Sequence, residues 1–193
     1  MIKQPCTRAW MFPVWGALML AALGCTLLPL RGGMQSAGHF ENDQIAFDYP
    51  ANWDTADAFF PNWQPYHDSQ YDADVVAIVA KQNTNTPFEK FSVSCAVMRR
   101  PLPEGLTLEQ VMAETYAGMS IAEVITEEVV TVGGIRGHER VYMQYQGEPL
   151  WQVRETWLEQ GGQITIVRCK SFPDQFEEAR ADFEAIMDSL EVK

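Results

Sequence analysis

The chain reads as an α+β domain: a central, mainly antiparallel sheet of about seven strands with helices packed on it. Three observations predict this. Two pairs of β-rich runs are joined by Gly-Gly dipeptides, Gly133-Gly134 and Gly161-Gly162. Two-residue links of this kind favour hairpins, because such turns need positive φ at their centre. Segments with a helical apolar stripe are few, and the order β-β-β-α-β-β-β-β-α differs from the alternating β-α units of a doubly wound sheet.

An export segment precedes the domain. Residues 1–40 carry Lys3, Arg8 and Arg31 and no Asp or Glu. Residues 10–30, "WMFPVWGALMLAALGCTLLPL", form an apolar run of 21 residues, close to the ~20 that span a bilayer. The basic residues lie upstream, which keeps the N-terminus in the cytoplasm and sends the rest across. Residues 1–31 therefore read as a signal or anchor. "ALGC" at 22–25 resembles a lipobox with Cys25 as the lipidated residue. The apolar run continues past Cys25, which suits an uncleaved span, and a plain cleaved signal is the third reading. All three put the domain on the extracytoplasmic side. Residues 32–40 read as a flexible linker and 41–193 as the folded domain.

The domain's elements follow in order. Ile45, Phe47 and Tyr49 share one face of a first strand, which Pro50 ends because it cannot donate to a ladder. Trp53 then packs over the end of the sheet. Residues 54–72 are loop-like and rich in aromatics. Residues 72–81 and 88–98 read as strands, the latter with Phe91, Val93, Cys95 and Val97 on one face. A helix at 107–119 opens with a Thr107/Gln110 capping box and carries Leu108, Val111, Met112, Tyr116 and Met119. Four strands follow as two hairpins, 122–132 with 135–146 and 150–160 with 163–172. A last helix, capped by Asp174, buries Phe176, Ala179, Phe183, Ile186, Met187 and Leu190.

Charge excludes several functions. In residues 41–193 the 11 remaining Lys and Arg face all 26 Asp and Glu, a formal charge of −15. Nucleic acid is excluded as a partner, since phosphate contacts need clustered cations, and so is docking on an anionic membrane face. Cys95 and Cys169 are the cysteines of the exported part. In an oxidising compartment they form a disulfide, or else two small buried thiols in strands. No nucleophile elbow, P-loop, dinucleotide loop or HExxH stands in the chain. Arg136, His138, Arg140 and Tyr142 share one strand face, which reads as solvated.

The segment 54–74 holds the candidate site residues. His67 with Asp68, Asp72 and Asp74 offers an imidazole and three carboxylates, a donor set for a divalent cation. A polar loop in an acidic protein also has this composition without any metal, and no other cofactor is expected. Trp63, Tyr66 and Tyr71, rimmed by Asp68 and Asp72, form a candidate contact surface, because Trp and Tyr dominate binding hot spots. The competing reading folds some of these rings, Phe59 and Phe60 among them, onto the sheet as a small satellite core.

Several short patches together resemble the PsbP-like family, the bacterial PsbP/DcrB type of exported domain. They are "IAFDYPANW" at the first strand, "FSVS", the "TLEQV" helix, the "VGGIRGHE" hairpin, the "TW" strand and the final "FEAIMDSLEV". The resemblance covers about residues 40–192. It implies an α/β/α sandwich with helices on both faces of an antiparallel sheet. It also implies a non-catalytic, membrane-tethered extracytoplasmic accessory protein that contacts a membrane protein complex, an envelope protein or a small ligand. The family includes extrinsic photosystem II proteins that aid cofactor-ion retention, which is an alternative. A metal-dependent hydrolase built on the His67/Asp loop is another. A nuclear Ran-binding factor shares the fold, so the fold does not settle function.

Overall fold

The computed structural model describes residues 36–81, 92–145 and 150–193. The predicted span 10–30, Cys25 and residues 88–91 of the expected third strand lie outside the described residues. No helix among the described residues is long and apolar enough to cross a membrane.

Eleven strands and three helices make up the described part. In chain order these are β1 (Ser36–Glu41), β2 (Ile45–Pro50), β3 (Trp53–Thr55), α1 (Ala56–Phe59), β4 (Tyr66–Asp68), β5 (Ala73–Lys81) and β6 (Val93–Pro101). Then follow α2 (Leu108–Ala117), β7 (Ile121–Val132), β8 (Ile135–Tyr145), β9 (Leu150–Gln160), β10 (Gln163–Ser171), α3 (Phe176–Asp188) and β11 (Glu191–Val192). The larger sheet runs β3-β5-β6-β10-β9-β8-β7, with β4 also paired to β5, and every pairing is antiparallel. A smaller antiparallel sheet, β1-β2-β11, stands beside it. Both glycine pairs turn hairpins, with φ of 57° and 84° at Gly133 and Gly134 and 62° and 77° at Gly161 and Gly162.

Strand alternation divides the core in two. On β10, Val167 and Cys169 join one cluster with the α3 residues Phe176, Ala179, Phe183, Ile186 and Met187. The alternate residues Ile164 and Ile166 join a second cluster with Leu108, Val111, Met112 and Tyr116 of α2. The larger sheet thus has α2 on one face and α3 on the other, the α+β architecture expected. The Thr107/Gln110 capping box is present on α2 and contributes about 1 kcal/mol. Cys95 and Cys169 sit directly opposite each other on β6 and β10, bridged and 1% exposed each.

Four local expectations give way. The stretch 32–40 is not all linker, because β1 pairs along β2 and Phe40 stacks on Phe47 at 5.3 Å. The stretch 54–72 is not all loop, because β3 and β4 pair with opposite ends of β5. In both cases an open strand edge recruits backbone that lacks any strand period of its own. Helix α3 is preceded by Gln175, with no side-chain cap bond, so Asp174 does not cap it. The face of Arg136, His138, Arg140 and Tyr142 is not generally solvated. α2 lies over it: His138 meets Glu109 at 3.1 Å, the Arg140 guanidinium stacks 4.0 Å over Tyr116, and Tyr142 is fully buried. Trp53 is 2% exposed, donates its indole N–H to Asp182 at 3.1 Å and meets Phe183 edge-on.

Candidate functional site

Segment 56–72 arches along the outer edge of β5, from α1 to the β4–β5 turn. Tyr66 is half-exposed on β4, and Trp63 is half-buried against the α2-side core. Tyr71 is not part of any surface: it is 1% exposed, and its hydroxyl donates to Glu155. The β4–β5 turn brings Asp68 opposite Ala73 and aims the Tyr71 ring inward, onto the Trp157 indole at 6.1 Å. Of the three rings expected together, the structure leaves Tyr66 as the exposed one.

The four candidate metal ligands do not converge either. His67 Nδ1 lies 3.2 Å from Asp74 and its Nε2 3.5 Å from Asp72. Asp68 is occupied in the turn, accepting from the backbone N–H groups of Gln70 and Tyr71 at 2.8 and 3.3 Å. Asp72 accepts from the Arg100 guanidinium at 3.0 Å. Such side chains stabilise a turn by replacing backbone hydrogen bonds. Among the described residues no group of three or more His, Cys, Asp and Glu side chains gathers where one cation would bind.

A second constellation lies inside the α2-side core, and the sequence reading missed it. Glu155 on β9 is 0% exposed. Its Oε1 accepts from the Trp157 indole N–H at 2.6 Å and the Tyr116 hydroxyl at 2.7 Å. Its Oε2 accepts from the Tyr71 and Tyr142 hydroxyls at 2.5 and 2.9 Å. Arg140 on β8 and Arg168 on β10 stand in register on either side of Glu155, and the Arg168 Nε is 3.9 Å from Oε2. Arg168 also donates to Gln144 at 2.7 Å. Burial, and next the charge of Glu155, push the Tyr71, Tyr116 and Tyr142 hydroxyls well above the ordinary tyrosine pKa. A general base must offer a lone pair to substrate. Here four donors already fill both carboxylate oxygens, so the arrangement does structural work: it ties α2, the β4–β5 turn, β8 and β9 to one buried charge. The signal was legible in principle, because Glu155 stands between Val153 and Trp157 on the inward period of β9.

The ends of the larger sheet differ. At one, β5 is covered by the two three-residue strands β3 and β4. At the other, β7 runs for twelve residues, and residues 122–129 are all exposed. The large apolar side chains exposed on the described surface are Phe60 and Tyr66 near the first end, and Val124, Ile125, Val129 and Tyr145 at the second.

No family model matches the chain, and no curated protein matches its sequence. Solved structures do match in shape. The cyanobacterial PsbP of Synechocystis, CyanoP, is 14% identical, with 81% of this chain and 92% of that chain covered and a TM-score of 0.52. LpqN of Mycobacterium tuberculosis, described as involved in cell envelope biogenesis, is 9% identical, with 81% and 90% covered and a TM-score of 0.56. At these identities the likeness is one of fold. The protein is an α+β domain of PsbP-like fold, as the short sequence patches implied.

Proposed function

We propose that this is a non-catalytic accessory protein, held on the extracytoplasmic side by residues 10–30, that acts by contact with a membrane protein complex or envelope protein. The observation that carries this reading is the exposure of Phe60 and Tyr66 beside one edge of the larger sheet and of Val124, Ile125 and Val129 on the strand at its other edge. Contact surfaces take this form: a few aromatic and branched side chains presented by a scaffold that does not have to order itself on binding. On the first end the contact residues are Phe60 and Tyr66. The charge step between Arg31 and Glu41 supports the extracytoplasmic placement, as does the bridge between Cys95 and Cys169, which oxidising compartments preserve.

The experiment is site-directed photo-crosslinking in the full chain, in its own membranes. A crosslinking side chain at Tyr66 or Val129 gives a discrete adduct, and one at Asp188 on α3 gives none. The reading fails if neither sheet-end position gives an adduct, and turnover of an ester, phosphate or peptide substrate by the purified chain would also overturn it.

A further inference from the structure

A long open strand edge presents unpaired N–H and C=O groups and pairs readily with another chain, so proteins blunt their edges. The β5 edge is blunted by β3 and β4. The β7 edge is not: β8 pairs its inner side, and among the described residues no strand pairs its outer side. Register shifts between Ile121 and Glu123 and between Val124 and Thr126 twist its first half. From Thr126 to Val132 the pairing is regular, and that stretch is long enough to template one added strand.

Charge selects the occupant. β7 carries Glu123, Glu127 and Glu128, and no Lys or Arg occurs between residues 121 and 135. Glu127 is paired with Arg140 at 2.8 Å. Glu128 lies beside Glu139 in a cleft of about 280 Å³ that also takes in Arg154 and Arg180. Two copies joined edge to edge would crowd Glu127 and Glu128 of each chain along one seam, between domains of formal charge −15. Like charges opposed across strands destabilise pairing, so a second copy is the wrong occupant. An alternating strand sets all its basic side chains on one face, beside Glu123 and Glu128, and its branched side chains on the other, beside Val124 and Val129.

We infer that β7 is a strand-addition site, which takes an extended segment of alternating basic and β-branched residues from a partner protein. This rests on the accessory-protein reading and names the chemistry of the partner.

The probe is a twelve-residue peptide of alternating lysine and valine, titrated into the full chain in mild detergent at physiological ionic strength. A control peptide replaces two valines by proline, which keeps the charge and prevents pairing. The alternating peptide is expected to bind at least tenfold tighter than the control and to slow amide exchange at residues 126–132. The E123K/E128K variant weakens the alternating peptide at least tenfold with an unchanged melting temperature. Equal binding of the two peptides, exchange protection confined to other elements, or concentration-dependent self-association that E123K/E128K abolishes would each overturn the inference. If the peptide fails while the Tyr66 adduct persists, the strand-addition site falls and the accessory reading stands. Loss of both removes the accessory reading as well.

Discussion

Replacing Glu155 by Gln tests what holds the α2 side of the sheet together. The side chain keeps its shape, but the carboxylate becomes an amide with one acceptor oxygen and one NH2. That oxygen does most at the Oε1 position, because the Trp157 indole N–H there is a donor only. The NH2 then faces the Tyr71 and Tyr142 hydroxyls, which rotate to accept. Hydrogen bonds to a charged group contribute about 1.5–3 kcal/mol each and neutral ones about 0.5–1.5, so four weakened bonds lose roughly 4 kcal/mol. Arg168, 11% exposed, meanwhile loses the carboxylate 3.9 Å away, and removing one partner of a buried pair costs about 3–5 kcal/mol. The two estimates describe overlapping interactions, so the expected loss is about 3–5 kcal/mol rather than their sum. That is a large part of the ~5–15 kcal/mol typical of a domain. The assay is urea denaturation of the full chain in mild detergent, followed by tryptophan fluorescence. Arg168→Met and the E155Q/R168M double variant complete a cycle, in which the double variant loses about 1–3 kcal/mol less than the two single losses added. A loss under about 1 kcal/mol for Glu155→Gln, or strict additivity, would refute the idea that one buried carboxylate organises this side of the core.

Three further outcomes follow from the same packing. Replacing Cys95 and Cys169 by Ala opens a loop spanning 74 positions, and the chain-entropy model expects a loss of about 4 kcal/mol in the urea experiment; an unchanged midpoint contradicts it. Alkaline pH acts through two opposed groups. Burial, helped by the Arg168 charge, lowers Lys170 to about 8 from 10.5. The unfolded chain therefore holds that proton longer, and stability rises by order 3 kcal/mol between pH 8 and 10.5. Tyr71, Tyr116 and Tyr142 have raised values, so their contribution is intact below pH 10 and is lost as pH climbs above it. The urea midpoint should rise from pH 8 toward 10 and then fall; Lys170→Met removes the rise, and a flat profile in wild type defeats both assignments. Gly137 sits opposite Leu158, and a Cβ there runs into the Trp157 carbonyl and the Leu158 side chain. Gly137→Ala should therefore destabilise by about 1–3 kcal/mol through overpacking, and a neutral thermal melt would show that β9 yields at no cost.

What the sequence determined by itself is local and periodic. The two glycine pairs marked hairpins, because a turn with φ above zero accepts few other residues. Thr107 and Gln110 marked the start of α2, because the capping box is closed within four residues. The apolar stripes of α2 and α3 named the side chains those helices bury. None of these needs a distant partner. Tyr71, Glu155 and β1 did. Tyr71 looked like a surface aromatic until the β4–β5 turn pointed it at a carboxylate 84 positions away. Glu155 broke the apolar period of β9, but three of its four donors, Tyr71, Tyr116 and Tyr142, come from other elements, and no spacing along the chain encodes their meeting. β1, β3 and β4 have little strand period of their own and exist because the edges of β2 and β5 offered unpaired backbone groups. For the same reason the edge position of β7 was invisible in sequence: its twelve residues name a strand, and only the order of strands in the sheet places it at the end, with no strand on its outer side among the described residues.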